Sequence, residues 1–115
     1  MVIAIDFDDT LMDRNNKLPG YRMGQPTPGS IVSMQRLNNM GHTLIIFTAR
    51  NVQHPNQKKA VADWLDYFKI PYHSITNVKL PEMELFIDNR AMHFDSWPQV
   101  MMRLTKLQQS ATVQT

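Results

Sequence analysis

Three carboxylates fall within four positions, at Asp6, Asp8 and Asp9, directly after the apolar run Val2-Ile3-Ala4-Ile5. Like charges this close repel one another, and the end of a buried strand is a poor place to leave them uncompensated. A hard divalent cation relieves the conflict. Mg²⁺ suits carboxylate oxygens and keeps several of its own waters, leaving room for a substrate oxygen. Two more apolar runs end in groups that could take part: Leu44-Ile45-Ile46-Phe47 leads into Thr48-Ala49-Arg50, and Leu85-Phe86-Ile87 into Asp88-Asn89-Arg90. Lys79 stands six residues before Leu85. Taken singly these are weak signals, since a Thr after a strand is a common turn residue and a lone Lys is usually solvated. Their weight comes from recurring at the same point of successive strands.

The elements that would position them can be read from periodicity. Short apolar runs predict strands near 2–6, 43–47, 72–75 and 85–87. Residues 11–29 carry Asn15-Asn16, Pro19-Gly20, Gly24, Pro26 and Pro28-Gly29, which mark a polar loop that could enclose a short hairpin. Ser30 reads as a helix N-cap, Ile31, Met34 and Leu37 as one apolar stripe, and Gly41 as the stop. Val61, Trp64, Leu65 and Phe68 define an amphipathic helix from Gln57 to about Phe68. Ser96 with Gln99 fits a capping box for a last helix, whose buried face would be Val100, Met101, Leu104 and Leu107. Residues 108–115 are polar and aperiodic and read as a frayed tail.

Strands alternating with helices predict an α/β fold of the three-layer, Rossmann-like kind, with a small parallel sheet and right-handed crossovers. Such sheets bind ligands beyond the carboxyl ends of their strands. Asp6, Asp8, Thr48 and Asp88 all lie at such ends, so the topology would gather them on one rim.

Asp6-Phe7-Asp8-Asp9-Thr10 resembles the nucleophile motif of the haloacid dehalogenase superfamily of phosphotransferases and phosphatases. The run ending in Thr48 looks like that family's second motif, Lys79 its third, and Leu85-Phe86-Ile87-Asp88-Asn89 its fourth, so the resemblance spans nearly the whole chain. It implies that Asp6 attacks phosphorus and that Asp8 acts as general acid and base. Thr48 and Lys79 would hold the transferring oxygens. Mg²⁺ would be bound by Asp6, Asp88 and the main-chain carbonyl of Asp8. Substrate phosphate would meet Thr48, Ala49, Arg50 and Lys79. Asp9 stands where the family usually has Gly, and Asn89 where many members have a second Asp; with Arg90 these are candidates for a supporting role. The loops at 11–29 and 51–56 are too short for the cap domain of larger relatives, which implies an open, capless site. Arg14, Lys17 and Arg22 in the first loop could then steer an anionic substrate.

Composition narrows the remaining choices. At 115 residues the chain is one domain, expected over 1–107 with the tail beyond. It has no cysteine, hence no disulfide or thiolate metal site, and its four histidines (His42, His54, His73, His93) lack metal-ligand spacing and read as scaffold. Trp64 and Trp97 read as packing anchors and the nine methionines as core fillers. No apolar run is long enough to span a membrane, and the first strand lacks the features of a secretory signal, so a cytoplasmic location is the expectation. A net charge of +2 assists an anionic phosphoester without marking a dedicated nucleic-acid binder. The reading is therefore a Mg²⁺-dependent phosphomonoester hydrolase, with nucleic acid entering only as a phosphorylated end to be hydrolysed and an oligomer allowed. Two non-enzymes share the chemistry: a phospho-acceptor signalling domain and a weakly active phosphate-binding module. The former places its acceptor Asp at the end of the third strand, where this chain has Ser74-Ile75-Thr76.

Overall fold

A computed structural model describes residues 1–114. Its centre is a four-stranded parallel sheet of β1 (Val2–Asp6), β4 (Thr43–Phe47), β5 (Ser74–Thr76) and β6 (Leu85–Ile87), in the order β5-β4-β1-β6. Between β1 and β4 the chain forms an antiparallel hairpin, β2 (Met12–Lys17) and β3 (Gly24–Pro26), and then helix α1 (Ser30–Asn39). Helix α2 (Pro55–Tyr67) joins β4 to β5, and α3 (Trp97–Gln114) follows β6. The expected α/β fold with a small parallel sheet is what forms. The strands run at 2–6, 43–47 and 85–87 as expected, and the third starts two residues late, at Ser74.

Alternation along each strand divides the sheet's two faces. Ile3, Ile5, Leu44, Ile46 and Ile75 point to one side and pack with Met34 of α1 and Val61, Trp64 and Leu65 of α2. Both helices lie on that face, as right-handed crossovers moving the same way along a sheet require. Ala4 and Ile45 point to the other side, where Met83 and Leu80 of the segment before β6 cover them. Parallel sheets need both faces covered, and here a short irregular segment does part of that work.

Several local expectations need correction. The N-cap of α1 is Gly29, in the left-handed region at φ 81°, and not Ser30. Ser30 lies inside the first turn, where its Oγ is buried with no hydrogen-bond partner. Helix α2 begins at Pro55, capped by His54, whose ring accepts from the Asn56 N–H at 3.3 Å. The capping box of α3 is half formed: the Gln99 N–H donates to Ser96 Oγ at 3.4 Å, while the Ser96 N–H donates to Asp95 instead.

The largest departure concerns α3. It continues to Gln114, so the segment expected as a tail from 108 is helical. Of its expected buried face only Val100 is half-buried, while Met101, Leu104 and Leu107 are 54%, 41% and 60% exposed, and Trp97 is 68% exposed. Among the described residues, none of α3 or β6 joins either core cluster. Trp64 is the packing anchor it was expected to be, and Trp97 is not. Of the nine methionines, Met12, Met34 and Met83 are buried and Met23 packs half-buried against the core, whereas Met1, Met40, Met101 and Met102 are exposed.

Candidate active site

The site grows from the carboxyl end of β1. Apolar burial on both faces fixes β1 between β4 and β6, so the first polar residue after Ile5 must emerge at the rim. The last pairing between β1 and β6 is Ile5 with Ile87, which leaves Asp6 and Asp88 side by side at the next step. Neighbouring strands lie about 4.8 Å apart, close enough for two carboxylates to feel one another strongly. Burial above all, then the charge of Asp88, raise the Asp6 carboxyl above its ordinary range. Asp8 adds a smaller push in the same direction, against hydrogen bonds from Thr10 and the Phe7 main chain. On the other side, β1 pairs with β4 as far as Asp6 with Phe47, so Thr48 follows at the same level. Thr48 is fully buried: its N–H donates to the Thr76 carbonyl at 3.0 Å, and its Oγ1 accepts from the Arg50 N–H at 3.1 Å.

The turn after Asp6 is tightly organised. The N–H groups of Leu11 and Met12 both donate to the Phe7 carbonyl at 3.0 Å. Asp9 adopts a positive φ of 62°, the conformation that a Gly at this point would take without strain. Its carboxylate accepts from the Arg14 main-chain N–H at 3.1 Å and from Arg14 Nε at 2.7 Å. The Arg14 bonds, most of all, hold the Asp9 carboxyl below its usual range. The extra negative charge is thus compensated from β2, and Arg14 is engaged there rather than free to steer a ligand.

Asp8 is held by a second basic residue of the rim, Arg50. Arg50 donates to both of its oxygens, Nε to Oδ2 at 3.1 Å and Nη2 to Oδ1 at 2.8 Å. The guanidinium also lies over the Phe7 ring, 5.6 Å from its centroid. This planar, two-point contact is the geometry that Arg offers equally to a carboxylate or a phosphate. Thr10 is a further rim residue to which spacing alone assigned no task. Its hydroxyl donates to Asp6 Oδ2 at 3.3 Å and accepts from the Asn89 N–H at 3.2 Å, fastening the loop after β1 to the loop after β6. Asp88 turns back on its own loop, accepting from the Arg90 N–H at 2.7 Å.

Asp6, Asp8, Thr48, Arg50, Asp88 and Asn89 are therefore brought to one rim, with Asp9 and Arg90 beside them. Ala49 is an exposed linker between Thr48 and Arg50. Lys79 is not brought to the carboxylates: its ammonium lies over Phe86, 5.2 Å from the ring centroid. The cause is the segment before β6, which folds across the sheet so that Leu80 and Met83 can cover Ala4 and Ile45. Among the described residues, no three acidic or histidine side chains converge as a ready cation cage. Asp6 and Asp88 are the pair whose mutual repulsion a cation would relieve, so the donor set fits a hard divalent ion that keeps waters in its remaining positions. A separate groove of about 410 Å³ lies between residues 90–92 and α3, lined by Arg90, Met92, Arg103, Lys106 and Leu107 among others. Among the described residues no helix is long and apolar enough to cross a membrane.

No family model matches the chain, and no curated protein does. Among solved structures it is similar to a conserved protein coded by a Bacteroides thetaiotaomicron locus, with a TM-score of 0.62 and 20% identity over 92% of this chain and 90% of that one. At that identity the likeness concerns the fold.

Proposed function

We propose that the chain is a Mg²⁺-dependent phosphomonoester hydrolase of the haloacid dehalogenase kind, working through an aspartyl phosphate on Asp6 at an open site. The observation that carries the reading is the convergence of Asp6, Thr48 and Asp88 at the ends of three adjacent strands, with Asp6 raised by burial and by Asp88. Two carboxylates set together at a strand rim, with no cation of the chain paired to either among the described residues, are the arrangement a bound divalent ion would stabilise.

In this reading a carboxylate oxygen of Asp6 attacks phosphorus as the bond to the leaving oxygen breaks, and Asp8 gives that oxygen its proton. Asp8 then takes a proton from water, which attacks the same phosphorus and releases inorganic phosphate from Asp6. Mg²⁺, held by Asp6, Asp88 and the main-chain carbonyl of Asp8, would neutralise charge on the phosphoryl oxygens when bound. Thr48 holds one of those oxygens only by exposing its hydroxyl, which is buried and taken by the Arg50 N–H when no substrate is bound. Arg50 gives Asp8 and substrate a common partner: when the guanidinium turns to the phosphoryl group, Asp8 is freed for proton transfer. Lys79 reaches the phosphoryl group only by leaving the Phe86 ring.

The hairpin β2–β3 stands where larger relatives carry a cap, and it leaves the rim open. An open rim suits bulky phosphoesters such as phosphorylated glycans, phosphoproteins or polynucleotide ends, handled in the cytoplasm. The test is a panel of phosphate esters spanning these classes, assayed for released phosphate with Mg²⁺ and with chelator. Metal-dependent turnover that disappears in Asp6→Asn supports the reading. A stoichiometric, non-turning-over phosphoprotein would instead identify a phospho-acceptor module, and binding without either would identify a phosphate-binding one.

A further inference from the structure

A 13.4 kDa chain folded as a compact monomer exposes about 6,500 Å² by the usual scaling of area with mass. This one exposes 8090 Å², an excess of roughly 1,600 Å² over that scaling. Its radius of gyration is 16.2 Å, against about 13 Å for a compact domain of this length. Apolar side chains are left uncovered in two places that adjoin the sheet. One is α3, where Trp97, Met101, Leu104 and Leu107 follow one another at helical spacing on an uncovered stripe, with Phe94 packed edge-on to Trp97 at 5.5 Å. The other is β6, the sheet's edge strand, whose Leu85, Phe86 and Ile87 are 44%, 40% and 38% exposed although they adjoin the buried Ile3, Ala4 and Ile5 of β1.

We propose that these two surfaces cover each other between two copies of the chain, α3 of each copy packing its apolar stripe against the β6 side of its partner about a two-fold axis. Helix stripe and sheet face are complementary in kind, since a parallel sheet needs cover on each face and an amphipathic helix needs an apolar surface to lie on. The face concerned carries Phe86 and Ala4, because Leu85 and Ile87 alternate to the face of Ile3 and Ile5. Each molecule presents one of each, which is the condition for a closed, self-complementary pair. The scale agrees: a standard interface takes about 800 Å² from each partner, and the whole chain's excess of roughly 1,600 Å² leaves room for one.

The chain's lack of cysteine makes the test direct. Sedimentation equilibrium of the full chain at 1–100 μM should give a dimer. Leu104→Glu with Leu107→Glu should weaken it at least tenfold while leaving the helical circular dichroism and the melting of the monomer in place, because neither residue joins a core cluster. In a mixture of one variant carrying only Phe86→Cys and another carrying only Leu104→Cys, oxidation should yield the mixed disulfide dimer. A monomer at 100 μM, a dimer indifferent to the Glu pair, or a chain carrying both cysteines that closes only on itself at high dilution would each overturn the proposal. The last result would mean that α3 folds back onto its own sheet.

Discussion

Replacing Trp64 by Phe should destabilise the protein for reasons that link the core to the rim. Trp64 is 6% exposed, and its indole N–H donates to the Gly24 carbonyl at 2.9 Å, tying α2 to the β2–β3 hairpin. Its ring also meets Phe7 edge-on at 5.1 Å, between Asp6 and Asp8 in the chain. Phe keeps a ring there but removes the donor, leaving a buried carbonyl unpaired at a cost of about 1–3 kcal/mol. The smaller ring leaves space that adds about 1 kcal/mol more. A loss of roughly 2–4 kcal/mol, set against an unfolding entropy of about 0.24 kcal/mol per kelvin for this length, lowers the melting temperature by about 8–16 °C. Thermal unfolding followed by circular dichroism measures it directly, and if the proposed activity holds, turnover should fall as Phe7 and the turn after Asp6 loosen. A shift below about 3 °C would show that the indole bond and the Phe7 contact contribute little, and the reasoning that makes Trp64 the link would fail.

Asp6→Asn should abolish turnover and, at neutral pH, stabilise the fold. Because burial and Asp88 raise the Asp6 carboxyl, its contribution is fully favourable below the unfolded value of 3.8 and is lost as pH rises through the raised folded value. The variant's advantage should therefore open above pH 4 and be absent below it; melting curves across pH showing a less stable variant at pH 7 would contradict this. Gly24→Ala should disrupt the hairpin, since an added Cβ would lie 1.6 Å from the Asp13 carbonyl oxygen, a backbone atom that cannot yield. A melting temperature within about 2 °C of wild type would rule that out. Asn89→Asp should lower the Mg²⁺ concentration needed for half-maximal activity by adding a charge next to Asp88. An unchanged metal titration would place Asn89 outside the metal's surroundings. Finally, Mg²⁺ should raise the melting temperature of the wild type and much less that of Asp6→Asn, as expected of an ion bound only by the folded form.

Much of this architecture was legible before any coordinates. Strands β1, β4 and β6 fall where the apolar runs place them, because a strand buried on both faces must be continuously apolar and must stop where polar groups begin. The polar groups at those stops then share a rim by topology alone, which is why Asp6, Thr48 and Asp88 could be named together from residues far apart in the chain. The left-handed turn at Asp9 was equally local, since Asp is among the few residues that tolerate it. What only the tertiary structure decided is how charges far apart in sequence pair: Arg50 with Asp8, and Thr10 between Asp6 and Asn89. The direction of Lys79 was out of reach for a related reason. It follows from which side chains its loop must bury, and Leu80 and Met83 draw that loop across the sheet. The stripe on α3 marks the limit most clearly. Periodicity states that a face is apolar and needs cover, a property of one helix, whereas what covers it depends on surfaces contributed elsewhere. In this chain neither core cluster includes it.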